Sequence, residues 1–157
     1  MYRLVFDVTQ GGLTILWFPL LGLLGTAGSA VVIFLRKYLW PRSLAFILVV
    51  VPIIIVLWTV TASVMTIGSY VRLAFALRNG RCKYVEGPIT EFVPMPPSGH
   101  GRETFTVGGV SFKYSKYDIT PGFRQVRVDG SPLYQGACVK VWYIDNEIAR
   151  LELKDLK

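Results

Sequence analysis

His100 is the only histidine in the chain, so any imidazole chemistry starts there. Ser98, Ser115 and Cys138 are the nucleophiles that could join it. Such a pair works only when a third group orients the base. Ser98 and His100 share the run Pro94-Met95-Pro96-Pro97-Ser98-Gly99-His100-Gly101, and a glycine-rich loop holds geometry poorly. A metal site at His100 would need cysteine or carboxylate partners at ligand spacing, yet neither CxxC nor HxxxH occurs. Gly99-x-Gly101 opens no helical pattern, so it is no phosphate cradle. The carboxylates are scattered and imply no paired acid and base. The residues therefore predict a protein that is not an enzyme, with no metal and no cofactor. Cys82 and Cys138 are the only cysteines. They could pair in an oxidising compartment or stay free in a reducing one, and as small apolar side chains they also suit a core.

The net charge of +7 raises nucleic acid as a partner. Its distribution argues against that. Residues 1–78 carry six basic side chains against Asp7 alone, a net +5, while residues 79–157 carry 11 basic against 9 acidic, a net +2. Lys113, Lys140, Arg150 and Trp142 fall on predicted outward faces of strands, as single-strand binders require. A nearly balanced domain is nevertheless poor material for a phosphate-binding face. The positive excess lies instead beside two long apolar stretches, where anionic head groups explain it.

Those stretches are the elements that must position everything else. Gly12 to Leu35 is 24 residues without a charge, and Ser43 to Val71 is 29. About 20 apolar helical residues cross a bilayer. The first continues past the small-residue stretch Gly28-Ser29-Ala30, further than a signal peptide's apolar region runs. A transmembrane α-helical hairpin is predicted over residues 1–80, with spans at about 12–35 and 43–71. A helical extension to Arg78 is stopped by Asn79-Gly80. The connecting turn holds Trp40-Pro41-Arg42. Small and hydroxylated residues let helices approach closely in lipid. Gly22, Gly25 and Ser29 on the first helix, with Thr59, Ser63 and Thr66 on the second, are predicted to pack the hairpin or a homo-oligomer. An ion or substrate path is the competing use of these stripes, as in a small oligomeric channel or transporter subunit. Neither span carries an Asp, Glu, Lys, Arg or His, one of which such paths usually need. Counting basic residues in the terminal flanks places the termini in the cytoplasm, although the short loop is denser in charge.

From Cys82 the texture becomes β. Alternating apolar residues punctuated by Gly and Pro predict strands at Lys83–Val93, Glu103–Val107, Val110–Ser115, Ala137–Tyr143 and Glu147–Leu153. Gly108-Gly109 predicts a two-residue hairpin turn. Five short strands over residues 81–157 suggest a small OB-like or SH3-like β-barrel, an all-β domain that hides its edges. The connection from Lys116 to Gln135 is long and aromatic. Binding residues concentrate on such loops. Tyr117, Phe123, Arg124, Arg127 and Tyr134, with Trp142 on the neighbouring strand, are the predicted partner-binding residues.

One resemblance joins these features. The run Val85-Glu86-Gly87-Pro88-Ile89 comes first. Glu103-x-Phe105-x-Val107-x-Gly109-x-x-Phe112-x-Tyr114-Ser115-x-Tyr117 follows, and then Pro121-Gly122-Phe123. The series closes with Gly136…Val139-x-Val141 and Ile148…Leu151-Glu152. It resembles a group of uncharacterised bacterial membrane proteins with two N-terminal spans and a C-terminal β-module. The resemblance covers most of residues 40–153 and implies a bacterial inner-membrane location. It implies no activity, cofactor or site residue, and the chain departs from the group's pattern at Arg124-Gln125-Val126-Arg127. The expected function is a non-enzymatic, membrane-anchored module that meets the lipid bilayer and binds a protein or envelope partner. An immunity or envelope-stress protein is a narrower form of it.

Overall fold

Residues rich in β-branched and aromatic side chains pair into a sheet because a pleated, half-buried surface suits them. The computed structural model describes residues 1–11, 17–39, 45–96 and 101–154. Ser98, Gly99 and His100 lie outside these, as do residues 12–16 of the expected first span and the Trp40-Pro41-Arg42 turn. The elements are β1 (Tyr2–Asp7), α1 (Trp17–Leu39), α2 (Ala45–Arg78), β2 (Lys83–Val93), β3 (Glu103–Val107), β4 (Val110–Tyr114), β5 (Cys138–Ile144) and β6 (Glu147–Lys154). They form two units, one of residues 13–68 and one of residues 1–12 with 69–157.

In the helical unit, only α2 is long and apolar enough to cross a membrane among the described residues, over Val50–Arg78. The second span of the expected hairpin is not shown among these residues. Among the described residues α1 also holds a shorter apolar stretch, Leu20–Val31. The two helices touch where Gly22 was expected to pack. A Cβ on Gly22 would fall 2.1 Å from Thr59 Cγ2, and one on Gly25 would meet Ile55 Cγ2 at 3.4 Å. Rising numbers on α1 meet falling numbers on α2, so the helices run antiparallel. Ser29, Thr59 and Thr66 donate their hydroxyls to carbonyls of their own helices, at Gly25, Ile55 and Ala62. Those bonds satisfy the hydroxyls locally.

Among the described residues the β-unit has six strands, not five. Its antiparallel sheet runs β1-β6-β5-β2-β3-β4. The extra strand comes from the N-terminus: Tyr2 pairs with Lys154 and Asp7 with Arg150. The unit therefore draws on both ends of the chain rather than on residues 81–157 alone. Long β2 is the fold's corner. Lys83–Pro88 pair with β5, whereas Ile89–Val93 pair with β3, with a register shift between Ile89 and Glu91. A bulge at that point bends one strand across two halves of the sheet. Phe105, Val107, Phe112, Val139, Val141 and Leu151 fill the space between the halves. The strand order ends at β1 on one side and β4 on the other. Among the described residues the sheet is therefore open, with two edges, where a small barrel was expected.

The last turns of α2 belong to this unit. Leu73 and Ala74 are buried against Val8 and Ala149. Arg72 pairs with Asp145 at 3.2 Å and Glu147 at 3.8 Å.

Candidate functional site

Strand alternation turns residues 103, 105 and 107 of β3 inward. That brings one carboxylate into the core: Glu103 is 0% exposed. A buried carboxylate persists only when its lone pairs are taken. Glu103 accepts from the Tyr114 hydroxyl at 2.6 Å, the Arg127 backbone N–H at 2.9 Å and the Met95 N–H at 3.4 Å. Three separate segments thus meet on one side chain: β4, the loop after β2 and the long connection. Burial, and then donation to Glu103, push the Tyr114 phenol well above its ordinary value. Sequence reasoning passed over Glu103. The available signal was an acid in phase with Phe105 and Val107.

The connection from Lys116 to Gly136 is not a free loop. Phe123, Val126 and Leu133 drop into the core, and Arg127–Asp129 form a single 3-10 turn capped by Gly130. Phe123 is corrected as an outward contact. It is 3% exposed, with its ring 5.7 Å from Phe6 and 5.2 Å from Tyr114. The other expected residues of the connection stay outside. Tyr117 is 60% exposed, with Lys116 Nζ 5.4 Å from its ring. Arg124 and Tyr134 are exposed, and Arg127 lays its guanidinium 5.9 Å from the Phe92 ring. Trp142 belongs to a different cluster. It sits opposite Tyr84 with ring centroids 5.1 Å apart, and Arg150 covers it at 5.3 Å. That cluster continues as Tyr2, Glu86 and Lys140. Tyr2 donates to Glu86 at 2.7 Å, Tyr84 donates to the other oxygen, and Lys140 lies 3.5 Å from it. Hydrogen bonds to Glu86 push both phenols up to about 12. The same bonds, Tyr84 first, hold the Glu86 carboxyl below its ordinary value.

The β-unit has a cleft of about 500 Å³ at the C-terminal end of β4. Lys113 and Tyr114 are among the residues that line it. Asp118, Ile119, Thr120, Gly122 and Phe123 line it too, with the β5–β6 turn, Asp145 to Ile148. Asp145 and Asn146 hold positive φ of 47° and 67°, which these two residue types tolerate in tight hairpins. The acids of the cleft are already engaged. Asp118 pairs with Arg102 at 3.0 Å and accepts the Ser115 N–H at 2.9 Å. Glu147 accepts the Thr120 hydroxyl at 2.7 Å. Among the described residues no group of three or more His, Cys, Asp or Glu could hold a metal. Both cysteines are free. Cys138 pairs with Pro88 across the β2–β5 ladder, six residues along β2 from Cys82. That is about 20 Å of strand, against the roughly 7 Å between Cα atoms that a disulfide spans.

Compared with known proteins, the chain matches no family model, no curated sequence and no solved structure.

Proposed function

We infer that the protein is a non-enzymatic binding module anchored in a membrane, whose β-unit meets a protein or envelope partner. One observation carries this reading. The last turns of the helix of spanning length, Val50–Arg78, place Leu73 and Ala74 in the β-unit's own core. A β-unit that shares its core with a membrane-spanning helix works at the bilayer.

The uncharged run Gly12–Leu35 is also of spanning length in the sequence. A second span packed at Gly22 and Thr59 completes the anchor as a hairpin, and the same faces serve a homo-oligomer. The bacterial inner membrane, with the β-unit on its cytoplasmic face, is the location this reading adopts.

The partner surface is the long connection. Its exposed aromatic and cationic side chains, Tyr117, Arg124, Arg127 and Tyr134, are of the types that dominate interface energetics. Ile119 and Val128 lie among them at 77% and 61% exposure. Phe123, Val126, Leu133 and the Glu103 bond hold this segment in place, so little ordering entropy remains to be lost on binding. A photoreactive residue at Tyr117 or Tyr134 tests the reading in intact cells. A discrete protein adduct that weakens when Arg124 and Arg127 become Ala is the expected result. Absence of any adduct from both positions contradicts it.

A further inference from the structure

The turn at Gly108-Gly109 has φ of 54° and 80°, the signature of a type I′ hairpin. In such a turn the flanking residues Val107 and Val110 exchange hydrogen bonds. Antiparallel pairs alternate between bonded and non-bonded. The register Phe105↔Phe112 and Glu103↔Tyr114 makes those pairs bonded as well. The N–H and C=O groups of Ser111 and Lys113 therefore point away from β3. β4 ends the strand order, and among the described residues no strand pairs with that edge. Both side chains are exposed.

An unpaired edge is a template for another strand, and this one leads directly into the cleft. The charges there select what can enter. Asp118 has Arg102, and Asp145 and Glu147 have Arg72. Lys113 lines the cleft with no carboxylate within 4.0 Å among the described residues. One Arg72 serves both Asp145 and Glu147, so the cleft carries no net positive charge, but Lys113 is its cation without a carboxylate partner, and a carboxylate is the group that fits it. A second copy of β4 would not supply one, because Val110-Ser111-Phe112-Lys113-Tyr114 contains no acid.

We propose that the free edge of β4 receives an extended segment of the protein partner as a seventh strand, with Lys113 holding a carboxylate of that segment at the mouth of the cleft. This rests on the binding-module reading and adds the partner's chemistry to it. Two residues with two free backbone groups each allow about four main-chain hydrogen bonds. The strand's shortness and its lysine guard the edge against indiscriminate pairing. An acidic segment turns the same lysine into a reason to bind.

The test uses the full chain in lipid nanodiscs and a display library of random heptapeptides with free C-termini. Enriched peptides are then synthesised in three forms: with carboxylates intact, with them amidated, and with alternate backbone nitrogens methylated. Carboxylate-bearing peptides are expected to bind. Methylation and the variant Ser111→Pro should each weaken them at least about tenfold, the scale of one or two lost hydrogen bonds. Ser111→Pro removes an N–H that the β3–β4 ladder does not use, and proline is tolerated at such edge positions. Lys113→Gln should abolish the difference between free and amidated peptides. No enrichment, or binding indifferent to both methylation and Ser111→Pro, overturns the proposal, as does dimerisation of the chain through β4. Adducts at Tyr134 in cells without any edge-binding peptide would overturn only this proposal and leave the binding-module reading standing.

Discussion

The Tyr114 hydroxyl donates to Glu103 Oε1 at 2.6 Å from the directly opposed position on the next strand. The acceptor is fully buried and also takes the Arg127 and Met95 N–H groups. Replacing the carboxylate removes a charged acceptor and strands up to three donors. Glu103→Gln should cost about 2–4 kcal/mol, and Tyr114→Phe about 1–2 kcal/mol. Denaturant unfolding of the detergent-solubilised chain, followed by tryptophan fluorescence, measures both. A Glu103→Gln variant as stable as wild type would refute the role assigned to this carboxylate.

Glu86 binds two phenols at once, and this gives a pH signature. Tyr2 and Tyr84 are raised from 10.0 to about 12, chiefly by donating to Glu86. A raised folded-state value favours the neutral phenol in the native state. The stabilisation is fully present below about pH 10 and is lost as pH rises through about 12. Phenolate absorbance should show two tyrosines ionising near 12 in the folded protein. Glu86→Gln should return both towards 10.0, without moving Tyr114.

Much of the β-unit was legible because its signals are local. The bounds of β2 and β3, and the turn between β3 and β4, follow from alternation and from Gly108-Gly109 alone. β1 was not legible. Tyr2–Asp7 pairs with β6, some 150 residues away, and a six-residue strand carries no local mark of so distant a partner. Phe123 is another such case. Pro121-Gly122 beside it reads as a loop, yet the Phe123 N–H bonds to the Ile148 carbonyl at 3.1 Å and its ring fills the core. For α2, apolarity marks the membrane segment, but Leu73 and Ala74 look the same whether lipid or β1 and β6 cover them. Of the candidate partner residues, Tyr117, Arg124, Arg127 and Tyr134 could be placed because polar turn chemistry surrounds them. Glu103 was missed because acids are rarely fully buried.

Gly22 leaves no room beside Thr59. A Cβ there would come within 2.1 Å of Thr59 Cγ2 and 2.8 Å of Thr59 Cβ, so Gly22→Ala must push the helices apart. A loss of about 1–3 kcal/mol is expected. Thr59→Gly in the same chain should restore much of it, because the two sites share one contact. Unfolding in mixed micelles reads the pair as a double-mutant cycle, and strictly additive effects would contradict the contact.

The ladder between β2 and β5 keeps Cys82 and Cys138 apart. Exposure of the folded chain to a thiol oxidant, followed by mass spectrometry without reductant, should find no Cys82–Cys138 bond within one chain. Such a bond would require the register Pro88↔Cys138 to be wrong.

The central claim is that α2 anchors the β-unit in a bilayer, and alkaline carbonate extraction of cell membranes tests it most directly. The full chain should stay in the membrane pellet. Val56→Arg with Leu57→Arg, at an apolar exposed stretch of α2, should shift it to the wash, since each arginine near a span's centre costs roughly 3 kcal/mol on insertion. Wild-type protein recovered in the wash, or a double-arginine chain retained as fully as wild type, would contradict the anchor.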